Sequence, residues 1–139
     1  IVESGVPVMG HLGLTPQSVE SLGGHKVQGR LSCDAQRIYD DATALQQAGC
    51  FGMVLECVPG NLARQISRSL DIPTIGIGAG MHTDGQVLVL QDLLGMNKEF
   101  KPKFLRHFMA GHGQISDALN QYHAEVTIGS FPNCEEAYR

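Results

Sequence analysis

The sequence is poor in the residues that mark several large classes of protein. It has no tryptophan, and aromatic residues make up only 6% of its 139 positions. Charged residues make up 17% and hydrophobic residues 42%, a balance that indicates a globular core rather than a disordered chain. The net charge of -4 argues against nucleic acid or an anionic membrane as the main partner. No apolar stretch approaches the roughly 20 residues of a membrane-spanning helix, so no membrane partner is expected.

The cysteines lack the spacing of a disulfide scaffold or a zinc site. There are four, at Cys33, Cys50, Cys57 and Cys134, and no two of them form a CxxC pair. A zinc site would need a tighter cluster with histidines at ligand spacing. We therefore interpret the four as free thiols in a reducing compartment, which predicts a cytoplasmic location.

Short apolar runs alternate along the chain with segments of helical periodicity. Four apolar runs are interpreted as strands, at residues 6–10, 51–55, 74–77 and 86–90. Helices are predicted at residues 34–48, 60–70, 102–109 and 115–126. Because the strand runs are continuously apolar, they predict an α/β fold with a parallel sheet that is buried on both faces. A flavodoxin-like sheet and part of a (βα) barrel both fit this order, as one domain over residues 1–139 with a turn-rich tail at 127–139.

The fourth run has a second interpretation. Only the residues MHTDG separate it from the third run, which is too short for an ordinary crossover helix. Val87, Leu90, Leu93 and Leu94 also lie on one face of a helix, so residues 86–94 could be helical. We favour the strand.

Polar or glycine residues follow each predicted strand, where the loops of a parallel sheet build an active site. They are His11, Glu56, the stretch GIGAG at 76–80, Gln91 and Asp92. GIGAG is a weak phosphate-loop signal, because the dinucleotide fingerprint needs a further glycine and a helix start. We interpret its glycines as allowing close approach of a bulky ligand or a neighbouring loop.

Glu56 is the strongest candidate, because a carboxylate ends the most apolar run of the chain, FGMVLE. Desolvation at such a position favours the neutral acid, and we expect the pKa of Glu56 to be raised. A base of that kind can remove a proton from a weakly acidic carbon. The alternative is a salt bridge to Lys or Arg from a neighbouring loop. For His11, in GHLG, a core histidine bonded to backbone and a pocket-lining residue are both open.

Six segments, in this order, resemble the ketopantoate hydroxymethyltransferase family. They are PVMGHLGLTPQSV, GGHKVQGR, VLECVP, IPTIGIGAG, DGQVLVLQDLLG and FKPKF. One such segment alone is moderately specific for the family, and all six in the same order are strongly specific for it. The chain departs from the family pattern at Met81, where the family often has Pro, at Gln91, where it often has His, and in the tail NCEEAYR.

The resemblance implies a fold and an assembly. The family folds as a (βα)8 TIM barrel of the phosphoenolpyruvate/pyruvate type, and such barrels need about 250 residues. A sequence of 139 residues is therefore expected to be the C-terminal part of a barrel, with about four βα units. Family members form decamers, so a homo-oligomer is expected.

The resemblance also implies an activity. The family transfers a hydroxymethyl unit from 5,10-methylenetetrahydrofolate to the keto acid 3-methyl-2-oxobutanoate, giving 2-dehydropantoate in pantothenate biosynthesis. Mg²⁺ chelates the keto acid and stabilises its enolate. The match carries the role of general base onto Glu56 and a substrate-pocket position onto His11. The metal ligands of the family lie in the N-terminal half of the barrel, so none is expected in this segment.

Two other functions stay open. One is a carbon–carbon lyase of the same superfamily, which folate-dependent product formation would distinguish. The other is a non-catalytic half-barrel that serves only in assembly, a hypothesis motivated by the missing metal ligands.

Overall fold

The structure is a computed structural model that describes residues 1–128 and residue 130. The chain divides into two compact units, Ile1–Val87 and the part from Leu88 onward. Of the predicted tail at 127–139, residues 129 and 131–139 lie outside the described residues, and Cys134 lies there with them. The other three cysteines, Cys33, Cys50 and Cys57, are free thiols as predicted.

The first unit is built from alternating strands and helices. In chain order these are β1 Met9–Gly13, α1 Ser32–Gln47, β2 Gly52–Glu56, α2 Gly60–Ser69, β3 Thr74–Ile77 and β4 Gly85–Gln86. The four strands form one sheet in the order β1-β2-β3-β4, and every neighbouring pair is parallel. The α/β class and the parallel sheet are therefore confirmed.

The register of the sheet separates its side chains into two faces, because successive side chains of a strand point to opposite sides. Met53 and Leu55 of β2 lie on one face and are fully buried against α1 and α2. Val54 and Glu56 lie on the other face and are only partly buried. Full burial, which the apolar runs predicted for both faces, is found on the helix side only.

The core of the first unit fills the space between β2 and the two helices. Its largest fully buried side chains in this cluster are Met53, Leu55 and Ile66. Each buries enough apolar surface to stabilise the fold by about 1.5–3 kcal/mol relative to an exposed position. Burial of this kind positions β2 firmly, and β2 carries Glu56 at its end.

Three predicted strands are displaced in the structure. The second was predicted at 51–55 and runs over Gly52–Glu56, so Glu56 is its last residue rather than the first residue after it. The first strand was predicted at residues 6–10 but runs over Met9–Gly13, so His11 lies within it rather than after it. The fourth, predicted at 86–90, is only Gly85–Gln86. A strand extends only where its backbone is hydrogen-bonded to a neighbouring strand. Met9–Gly13 pairs with β2 although glycine occupies two of its five positions, whereas β4 pairs with β3 at Gly85 and Gln86.

The connection from β3 to β4 is unusually short for parallel strands. Residues 78–84 contain no helix, yet Ile75 pairs with Gly85 in parallel register. A parallel crossover usually takes a dozen or more residues. The helical alternative for residues 86–94 holds only for its second part, where α3 spans Leu90–Leu93.

The second unit contains α3 and the long helix α4, Gly111–Thr127. α4 contains the helix predicted at residues 115–126. The helix predicted at 102–109 is wrong: the N–H of Phe108 donates to the carbonyl of Leu93, outside that segment, instead of continuing a helical ladder. Among the described residues, no helix combines the length and the apolar character needed to cross a bilayer.

Candidate active site

The structure brings the two leading candidates of the sequence, His11 and Glu56, into direct contact. His11 Nε2 lies 3.0 Å from Glu56 Oε2. The two side chains remain 33% and 21% exposed, respectively, so the carboxylate is largely buried but still reachable. Among the residues that the structure describes, the side chain paired with Glu56 is therefore a histidine, whereas the salt-bridge alternative required Lys or Arg.

The parallel register explains why these side chains meet. His11 of β1 pairs with Val54, two residues before Glu56 on β2, and all three side chains lie on the face opposite the helices. Gly13 pairs directly with Glu56 and adds no side chain beside it. The imidazole therefore reaches diagonally across the pair of strands to the carboxylate.

The chemistry of the two groups defines the direction of the hydrogen bond. An ionised carboxylate only accepts hydrogen bonds. When Glu56 is ionised, His11 Nε2 must therefore carry the hydrogen and donate it to Oε2. This contact occupies one carboxylate oxygen and leaves Oε1 as the second acceptor. The pair can thus hold a carboxylate in one orientation while one oxygen receives a proton.

The backbone turns sharply directly after Glu56, at Cys57. Cys57 has a φ of 49°, a left-handed conformation that non-glycine residues rarely adopt. Its N–H donates to Ile77 O at 2.9 Å, and its carbonyl accepts from Gln28 N at 2.8 Å. Burial, and then the negative charge of Glu56, raise the pKa of the Cys57 thiol. The residue next to the carboxylate is therefore a neutral thiol near pH 7.

The GIGAG stretch begins as the last two residues of β3, and its remaining residues, Gly78–Gly80, form the loop beside this turn. Gly78 and Gly80 both have positive φ, which glycine adopts without strain. A Cβ on Gly80 would lie 3.0 Å from the Cα of Gly60, at the start of α2. The glycines therefore serve the approach of a neighbouring segment, the second of the two uses that the sequence left open.

The further candidates Gln91 and Asp92 belong to α3 in the second unit. A groove of about 310 Å³ in the first unit is lined by residues such as Tyr39 and Leu62, from α1 and α2, on the helix side of the sheet. That groove holds neither His11 nor Glu56, and we assign no chemistry to it.

Two contributors to the site were not recognised in the sequence. Gly13 permits β1 to lie close to β2, since a Cβ there would be 2.1 Å from Glu56 O. Cys57 makes the turn after Glu56. Neither has a local signal, because both roles depend on the backbone of other segments. Within residues 1–128 and 130, no group of three or more His, Cys, Asp or Glu side chains could hold a metal ion.

Comparison with known proteins finds similarity over nearly the whole chain. A family model described as ketopantoate hydroxymethyltransferase matches residues 1–134. The chain belongs to the ketopantoate hydroxymethyltransferase family. The motif resemblance found in the sequence is thereby confirmed.

Individual relatives agree with the family assignment. The chain is 60% identical over 138 residues to the 3-methyl-2-oxobutanoate hydroxymethyltransferase of Bdellovibrio bacteriovorus, covering 99% of this chain and 52% of that protein. It is 56% identical over 138 residues to the protein of that name from Francisella tularensis, with the same coverage. For the Coxiella burnetii protein it is 56% identical over 135 residues, which is 97% of this chain and 51% of the relative. The chain thus spans about half the length of the curated relatives it matches.

Proposed function

We propose that this chain supplies the proton-abstracting half of a 3-methyl-2-oxobutanoate hydroxymethyltransferase, with Glu56 as the general base. The observation that carries the proposal is the hydrogen bond from His11 Nε2 to Glu56 Oε2, 3.0 Å long, on the open face of the sheet. A general base must have one free acceptor in reach of substrate, and this arrangement leaves Glu56 Oε1 in that role. The names of the relatives supply the substrate class.

The proposed step breaks the C3–H bond of the keto acid. The proton passes to Glu56 Oε1, and the electron pair of the broken bond forms the C2–C3 double bond of the enolate. C3 then bonds to the one-carbon unit of 5,10-methylenetetrahydrofolate as the double bond of the enolate returns to a carbonyl. The bonds from that carbon to N5 and N10 of the folate both break, and water supplies the hydroxyl oxygen. The proton taken from C3 and the second proton of the water end on the two folate nitrogens, so tetrahydrofolate leaves. His11 lines the substrate pocket and holds the carboxylate in its orientation. A positioned base of this kind contributes about 10²–10⁴-fold in rate.

Mg²⁺, which the family resemblance implies, has no set of ligands among the described residues of this chain. The step that we assign to the residues of this chain is the deprotonation by Glu56.

The finer fold is part of the same proposal. We propose that the four parallel strands are the C-terminal half of a closed (βα)8 barrel, since the relatives are about twice as long as this chain. An open parallel sheet leaves unpaired edges, which closure of a barrel removes. The partly exposed face that carries His11 and Glu56 would then line the interior.

The test is exchange of the C3 proton in deuterated water, followed by NMR on the complete protein. Glu56→Gln keeps the size of the side chain but removes the base, so we expect exchange to fall by about 10²–10⁴-fold while the keto acid still binds. Glu20→Gln, at an exposed position, is the matched control and should exchange at the wild-type rate. Retained exchange in Glu56→Gln would overturn the assignment.

A second readout separates the transferase from the lyase of the same superfamily. Product formation that requires 5,10-methylenetetrahydrofolate supports the transferase. Cleavage of a hydroxy acid without folate, or no catalysis at all by the complete protein, would favour the lyase or the non-catalytic alternative.

A further inference from the structure

The loop that follows β3 is tied to the segment that follows Glu56. Ile77, the last residue of β3, pairs with Glu56, and its carbonyl accepts the N–H of Cys57 at 2.9 Å. Further along the same loop, Gly80 packs against Gly60 at the start of α2. A displacement of the loop Gly78–Gly80 would therefore be transmitted to the backbone on which the carboxylate of Glu56 is mounted.

A single side chain from β4 holds this loop from the other side. Gln86 Nε2 donates to Gly80 O at 2.8 Å and to Thr83 Oγ1 at 2.8 Å. The hydroxyl of Thr83 in turn donates to Gly85 O at 2.9 Å. The primary amide has two N–H hydrogens, and both are used. We call this set of contacts among Gln86, Thr83 and Gly80 the Gln86 clamp.

The sequence around the Gln86 clamp is adapted to it. A Cβ on Gly76 would lie 2.6 Å from Thr83 Oγ1 and 3.2 Å from Gln86 Nε2, so only glycine leaves room for the clamp above β3. The clamp also compensates for a weak edge of the sheet. β4 is only two residues long, and the connection that precedes it contains no helix. The side-chain bonds thus order a loop that the backbone ladder alone constrains little.

We infer that Gln86 is a positioning residue for Glu56. Through Gly80 it holds the loop Gly78–Gly80 against the start of α2, and through the bond between Ile77 O and Cys57 N it restrains the turn after Glu56. Gln86 touches no reacting atom in this arrangement. The inference rests on the proposed function, because it concerns the orientation of the same general base.

The variant that tests the inference is Gln86→Met, which keeps the length of the side chain and removes both donors. Gln86 is exposed, so the midpoint of thermal unfolding should change little. Misplacement of a catalytic group by about 1 Å can cost 10²-fold in rate. We therefore expect the rate of C3 proton exchange in the complete protein to fall by about 10-fold or more, with little change in the affinity for the keto acid.

Gln46 of α1 offers a matched control, because it contacts the loop at the opposite end of β3. Gln46 Oε1 accepts the N–H groups of Asp71 at 2.7 Å and Ile72 at 3.2 Å, on the loop that leads into β3. Gln46→Met also removes side-chain hydrogen bonds that hold a loop next to β3, although here the amide oxygen accepts, and it does so at the end of β3 away from Glu56. It should lower thermal stability and leave proton exchange unchanged. Equal losses of exchange in both variants, or no loss in Gln86→Met, would overturn the inference.

A second measurement tests the transmission without any activity. Amide hydrogen exchange reports local opening, and the Cys57 amide is protected by its bond to Ile77 O. In Gln86→Met, this amide should exchange faster than in wild type, and in Gln46→Met it should not. Unchanged protection of Cys57 would contradict the inference even if substrate exchange were slow. Absence of substrate exchange in the wild-type protein would instead count against the proposed function.

Discussion

Gly13 gives the sharpest test of how the candidate site is held together. It ends β1 with a φ of 92°, in the region that residues with a side chain avoid. In Gly13→Ala the new methyl would lie 2.1 Å from Glu56 O and 2.7 Å from Val58 Cγ1. The left-handed backbone costs about 1–2 kcal/mol for alanine, and an extra methyl in a packed site costs typically about 1–3 kcal/mol. We expect the free energy of unfolding to fall by about 2–5 kcal/mol.

Gly24→Ala is the control for this prediction. Gly24 has a φ of 102°, but a Cβ there would have no other atom within 4 Å. This variant should therefore lose only the conformational part, about 1–2 kcal/mol. Urea unfolding of both variants measures the two losses, and their difference isolates the steric contact between β1 and β2.

The same variant has a consequence for the site. The clash can be relieved only by moving β1 away from β2, because the nearest atom belongs to the backbone of Glu56. That movement would lengthen the bond between His11 Nε2 and Glu56 Oε2. Proton exchange should therefore slow in Gly13→Ala and stay at the wild-type rate in Gly24→Ala. If both variants lose the same stability, the close approach of the strands is not what requires glycine at this position.

Two further predictions concern titration in the first unit. Hydrogen bonds from the Thr74 N–H and hydroxyl hold the pKa of Asp84 below its usual value. The Asp84 carboxylate therefore stabilises the fold fully above its unfolded pKa of about 3.9. This stabilisation is lost as the pH falls through the lower pKa of the folded state. Urea unfolding at a series of pH values should therefore show the advantage of wild type over Asp84→Asn shrinking below about pH 4, and a pH-independent difference would contradict this. Burial, and then the charge of Glu56, raise the pKa of the Cys57 thiol. Iodoacetamide reacts with thiolates, so at pH 8 it should label Cys57 more slowly than the exposed Cys33. Peptide mass spectrometry measures the two labelling rates. Equal labelling rates would refute that assignment.

Much of the architecture was predictable, because it depends on local patterns. The helical periodicity of residues 34–48 predicted α1 within two residues at its start, and the apolar run 74–77 predicted β3 at its observed bounds. Glu56 was identifiable because a charge at the end of an apolar run is costly unless it has a role. The six motifs identified the family. Their order along the chain was sufficient for this, without any coordinates.

The remaining features depend on which segments lie side by side, and apolar periodicity does not encode that. The sequence predicted His11 after a strand. In the structure, pairing with β2 extends the strand to Gly13, and the side chain of His11 contacts Glu56. The short β4, the left-handed turn at Cys57 and the Gln86 clamp are likewise set by hydrogen bonds between segments. The sequence by itself thus determined the class of fold, the family and the two candidate residues. Only the tertiary structure decided that these two residues touch, because their contact follows from the register of two strands that are distant in the chain.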